Sequence, residues 1–166
     1  MKYDDARSKI KSGDVLAWSH QSWGSWYDIQ VQLARMGTRS EYCHVGIAWC
    51  VAGRILVLES VRPSIRIFPL SDKEDFYWIS LSKEWTSEVE EFALSKLGQQ
   101  YSRWQAVMSM FGLNKDDTLW YCSEYVKDIL HKLGIAMPDN VSPSDVVKFL
   151  QNEDYNVILV NMSKGN

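Results

Sequence analysis

No apolar stretch in this 166-residue sequence approaches the roughly 18 residues that a membrane-spanning helix needs, and the opening MKYDDARSKIK holds no apolar run of the kind a secretory signal carries. Both absences predict a cytoplasmic protein, an expectation that a processed mature form or a phage-encoded chain would meet equally. Lysine and arginine are nowhere clustered and the formal net charge is −3, which excludes a general nucleic-acid binder, because neutralising phosphates takes a basic patch. Cysteine is scarce. The three that exist, Cys43, Cys50 and Cys122, are odd in number and irregular in spacing, which excludes a disulfide framework and fits a reducing compartment. With no C-x-x-C pair, a zinc site built from Cys43, His44, Cys50 and Cys122 fails on spacing, and neither metal nor cofactor is expected. No repeat, low-complexity segment or linker divides the chain, so residues 1–166 read as a single domain. The oligomeric state is left open.

What is present is ordinary in bulk and unusual in one respect. Hydrophobic residues make up 46% and charged residues 23%, close to the globular average, but eight tryptophans and eight tyrosines are many for this length. Such a surplus serves a heavy core or a groove for sugars, peptides or acyl chains, and the core is the expected use of most of them.

In chain order, residues 4–11 predict a short helix, and Ser12-Gly13-Asp14 turns into a strand over Val15 to Trp18. Trp26, Ile29, Leu33 and Met36 approximate helical spacing, with Gly37 as the stop and His20 in the preceding loop as a solvated or capping residue rather than a ligand. CHVGIAWCV and RILVLESV, separated by Ala52-Gly53, form the clearest hairpin. Strands are expected over residues 64–68, 76–81 and 155–160. Helices are expected within Ser82 to Leu97, capped by Thr86 or Ser87, and within Gln99 to Lys115. A further helix starts at Ser142-Pro143-Ser144-Asp145, where a capping serine, a proline at the first helical position and an acid at the third combine, and it runs to about Asn152.

Two features carry chemistry. In TLWYCSEYVKDILHKLG, Tyr125, Val126, Ile129, Leu130 and Leu133 mark one stripe of a helix that Gly134 ends, with Asp117 or Thr118 as cap and Lys127 and Lys132 toward its negative end. Cys122 then lies in the first turn, where unpaired N–H groups and the positive end of the helix dipole favour the thiolate, although a small apolar residue packed under the helix is the plainer use of a cysteine. In the hairpin, a two-residue turn at Ala52-Gly53 sets Val51 opposite Arg54 and Gly46 opposite Glu59, whereas a turn shifted by one sets Glu59 opposite His44. Either register puts His44 and Glu59 on one face unless a bulge intervenes, and it sends Cys43 and Cys50 to opposite faces. A nucleophilic sulfur, an imidazole to carry its proton and a carboxylate to orient that imidazole are the parts of a cysteine hydrolase. A His and Glu on one hairpin face could equally be a structural pair.

His44 in SEYCHVGIAW, Glu59 in ILVLES, LGQQYS ending at Tyr101-Ser102, and Trp120-Tyr121-Cys122-Ser123-Glu124-Tyr125-Val126 resemble the circularly permuted NlpC-type papain-like cysteine hydrolases of the YiiX-like branch. The resemblance extends roughly from Ser12 to Leu150. It implies an α+β, permuted papain-like fold: a central antiparallel sheet of about five to six strands packed against helices, with the nucleophile at a helix N-terminus. It also implies a Cys-His-Glu triad in which Cys122 is the nucleophile, His44 the general base and acid and Glu59 the orienting group, with the Cys122 N–H as one oxyanion donor and Tyr101 as a substrate or oxyanion contact. Cys43 departs from the serine common before the family's histidine. The activity implied is that of a cysteine amidase or peptidase, working through a thioester acyl-enzyme on a small peptide or acyl-amide, with a cell-wall-type peptide as the first substrate expectation. Two alternatives remain. One is a lecithin-retinol-acyltransferase-like acyltransferase or thiol lipid hydrolase, whose usual N-C-E-H motif differs from Y-C-S-E here. The other is a non-catalytic binding module on the same scaffold.

Overall fold

A computed structural model describes residues 1–19, 41–100 and 122–162. Among these, α1 (Tyr3–Arg7), β1 (Val15–Ser19), β2 (Tyr42–Val51), β3 (Arg54–Ser60), β4 (Ile65–Pro69), β5 (Phe76–Ile79), α2 (Ser87–Ser95), α3 (Cys122–Lys132), α4 (Pro143–Asn152) and β6 (Val157–Val160) follow in order, with a 3-10 turn at Leu70–Asp72. The strands form one six-stranded sheet in the order β4-β3-β2-β1-β5-β6, every neighbour antiparallel. This is the expected α+β arrangement. The anticipated helices around Trp26 to Met36 and beyond Gln100, together with His20 and Tyr101, lie outside the described residues.

The β2–β3 hairpin takes the unshifted register. Ala52 and Gly53 both adopt positive φ, 49° and 72°, as a tight two-residue hairpin turn with right-handed strand twist requires. Val51 consequently stands opposite Arg54, and the ladder runs to Ile47 opposite Leu58. Between β1 and β2 the register slips once: Trp18 pairs with His44 but Ser19 with Tyr42, leaving Cys43 as the extra residue of a bulge. The slip falls one residue short of His44, so the spacing from His44 to Glu59 is undisturbed.

Each face of the sheet carries its own apolar core. Val15, Ala17, Val45, Ile47 and Leu58 pack with Val89 and Ala93 of α2, with Tyr125, Val126, Ile129 and Leu130 of α3 and with Val146, Val147 and Leu150 of α4. On the other side Leu16, Trp18, Ala48, Val57, Phe76 and Trp78 pack with Ala6 and Ile10 and with Leu70 of the 3-10 turn. The helices are held by specific contacts as well as by burial. Thr86 caps α2 by accepting from the Val89 N–H at 3.4 Å, and Ser142 and Asp145 complete a reciprocal capping box at α4 with Pro143 in its first turn. On α3, Tyr125 donates to the Ala93 carbonyl at 2.9 Å and Ser123 to that of Val141. Lys127 is buried mid-helix with Asp139 at 2.9 Å, instead of meeting the helix's negative end as its sequence position suggested.

Candidate functional site

Strand pairing delivers the first half of the site. His44 and Trp18 are cross-strand partners and therefore share a face, and their rings stand 5.3 Å apart at 33°. Glu59 follows Val57 by two residues on β3 and shares its face, beside the glycine at position 46. The result is a direct contact: His44 Nε2 lies 2.7 Å from Glu59 Oε2, with both residues buried. The second half comes from α3, whose described part begins at Cys122. Cys122, only 8% exposed, hydrogen-bonds the His44 ring through its side chain, so the one imidazole meets both Glu59 and the cysteine. Cys122 belongs to the helix-side core and Trp18 to the opposite one, so the His44 ring joins the two.

Glu59 is fully buried and has partners besides His44. Lys73 donates to its Oε2 at 2.7 Å, and Arg66 donates to Oε1 through Nε at 3.0 Å with Nη2 at 2.9 Å. Arg66 arrives because it stands directly opposite Glu59 in the β3–β4 ladder. Burial by itself would push the Glu59 pKa up, but the His44 hydrogen bond and charge and the Lys73 ammonium reverse this and hold the carboxyl well below its ordinary range. For His44, burial disfavours the imidazolium, yet the hydrogen bonds to Cys122 and Glu59 outweigh it and the ring is pushed up to about 9. An imidazole so placed can accept a proton from sulfur and keep it near neutral pH.

No protein-family profile matches this sequence, and no curated protein matches it. Among solved structures the chain is similar to the crystal structure of the metalloprotein yiiX from Escherichia coli O157:H7, DUF1105, with a TM-score of 0.56 and 20% identity over 86% of this chain and 81% of that one. The fold is YiiX-like. On this YiiX-like frame Cys122, His44 and Glu59 come together, while the anticipated substrate contact Tyr101 lies outside the described residues. The other thiols take separate partners: Cys43 donates to the Trp18 carbonyl at 3.3 Å and Cys50 to that of Ile10 at 3.5 Å, and none of the three cysteines forms a disulfide. Among the described residues no helix is long and apolar enough to cross a membrane, and no three or more of His, Cys, Asp and Glu converge as metal ligands.

Sequence reasoning missed Arg66 and Lys73. The first was recoverable, since extending the ladder through the β3–β4 connection pairs it with Glu59. The second was not, because a lysine in the charged run Ser71 to Asp75 reads as solvated.

Proposed function

We propose that this chain is a cysteine hydrolase that cleaves an amide bond through a thioester on Cys122. The observation that carries the reading is the double engagement of one imidazole, Nε2 held by Glu59 at 2.7 Å while the same ring hydrogen-bonds the Cys122 side chain. In the reaction, Cys122 Sγ attacks the carbonyl carbon as its proton passes to His44, and a carbon–sulfur bond forms. The carbon–nitrogen bond then breaks as His44 returns that proton to the departing amine. Water attacks the thioester, giving its proton to His44 and releasing the carboxylic acid, and the proton goes back to sulfur. Glu59 fixes the ring's tautomer and stabilises its charged form throughout. By family resemblance, the Cys122 N–H is one oxyanion donor and a cell-wall-type peptide the substrate.

The structural neighbour is described as a metalloprotein. The donor set here does not suit a metal: both Glu59 oxygens face cationic or N–H donors, and Cys122 and His44 are engaged with each other. The reaction above therefore has no metal step.

Incubation with a panel of wall-derived peptides and short-chain acyl esters tests the reading. Release of free amine by the wild type, abolished in Cys122→Ala, is the expected result. Turnover of esters alone moves the assignment to acyl transfer. A folded protein inert toward both classes contradicts hydrolysis and leaves the binding-module reading.

A further inference from the structure

The 3-10 turn Leu70–Asp72 plugs Leu70 into the same apolar core as Trp18 and Val57, and the Lys73 N–H closes the turn on the Leu70 carbonyl at 3.1 Å. This anchoring aims the Lys73 side chain inward. Its ammonium, only 11% exposed, lies 5.1 Å from the centre of the Trp18 ring and 4.9 Å from that of Phe68, and it donates to Glu59 Oε2 at 2.7 Å. The same oxygen receives His44 Nε2 at 2.7 Å. Two positive groups thus converge on one acceptor in a desolvated setting, where like charges repel strongly. Among the described residues, Arg66 of β4, on the second Glu59 oxygen, and Cys122 of α3, at the His44 ring, are charged or titratable groups that also face this pair.

We infer that Lys73 is a positioning residue that pins Glu59 Oε2 beside His44 and, by sharing that oxygen, limits how tightly His44 holds its proton, thereby setting the upper pH bound of the Cys122–His44 pair. A carboxylate left to His44 alone would stabilise the imidazolium further, and a proton held too tightly is not returned to a leaving amine. Only the consequence for turnover rests on the proposed hydrolase reading. The effect on His44 stands on the contacts themselves.

The test is an NMR titration of the His44 imidazole in isotopically labelled full-length protein, assigned by loss of its signal in His44→Gln. Lys73→Met should move the His44 midpoint upward by about one pH unit or more, a tenfold or greater rise in proton affinity. Lys73→Arg, which keeps the charge, should leave it within a few tenths of wild type. Lys73→Gln keeps a hydrogen-bond donor without the charge and should behave like Lys73→Met, giving a second reading if that variant fails to fold. A prop with no electrostatic role would lower Tm without moving the midpoint, and an unmoved or lowered midpoint in either folded neutral variant overturns the inference. If no substrate is turned over, the hydrolase reading fails while the titration still decides the role of Lys73.

Discussion

A Cβ placed on Gly46 would come within 2.7 Å of Val57 Cγ1 and 3.1 Å of the Leu58 carbonyl oxygen. Val57 is fully buried and cannot swing aside. The glycine lets β2 and β3 lie close where His44 and Glu59 must meet. Gly46→Ala should therefore cost about 1–3 kcal/mol, the usual range for overpacking a closed core. Chemical denaturation measures the loss, and slower alkylation of Cys122 should accompany it as the His44–Glu59 contact loosens.

Glu59 neutralises its surroundings, so removing its charge should cost more than a hydrogen bond. Glu59→Gln leaves the buried Lys73 ammonium without its counter-charge, and removing one partner of such a pair typically costs about 3–5 kcal/mol. Arg66, 43% exposed, adds little because water screens it. Pairing Glu59→Gln with Lys73→Met should restore much of the stability without restoring the chemistry, and a double-mutant cycle checks this coupling.

His44 and Glu59 set opposite pH limits on stability. His44 is raised in the folded state, so its contribution is complete below its unfolded value of roughly 6.5 and is lost as pH rises toward about 9. Glu59 is depressed, so its contribution is complete above an unfolded value of roughly 4.3 and fades as pH falls below that. Thermal melts should show a plateau near pH 5–6.5 and a falling Tm from there to pH 9. His44→Gln should remove most of the alkaline slope, and a wild-type Tm flat between pH 6.5 and 9 would contradict the assignment.

Ser142→Ala supplies a control. It breaks the capping box of α4 and should cost about 1 kcal/mol. The box is no part of the His44 contacts, so Cys122 alkylation should keep its wild-type rate in the variant.

How far the sequence reached follows from how local each determinant is. The hairpin was legible because Ala52-Gly53 fixes a two-residue turn, and the α4 start because Ser142, Pro143 and Asp145 satisfy its N-terminus within four consecutive positions. His44 facing Glu59 followed from strand parity alone. The bulge at Cys43 was not legible, since it answers to pairing with β1, more than twenty residues earlier. Lys73 was hidden for the same kind of reason. Its burial depends on Trp18 of the distant β1 meeting Phe68 and Leu70 of its own stretch, and no window around a charged run records the Trp18 contact.

Exposure and chemistry rank the three thiols in opposite orders, which makes iodoacetamide at pH 7 the most direct test. Cys50 is exposed, Cys43 half-buried and Cys122 buried, and burial pushes the Cys50 thiol up. If His44 takes the proton of Cys122, peptide mapping should find Cys122 modified first despite its burial, with the rate collapsing in His44→Gln. Modification in order of exposure, unchanged by that substitution, would contradict the central claim.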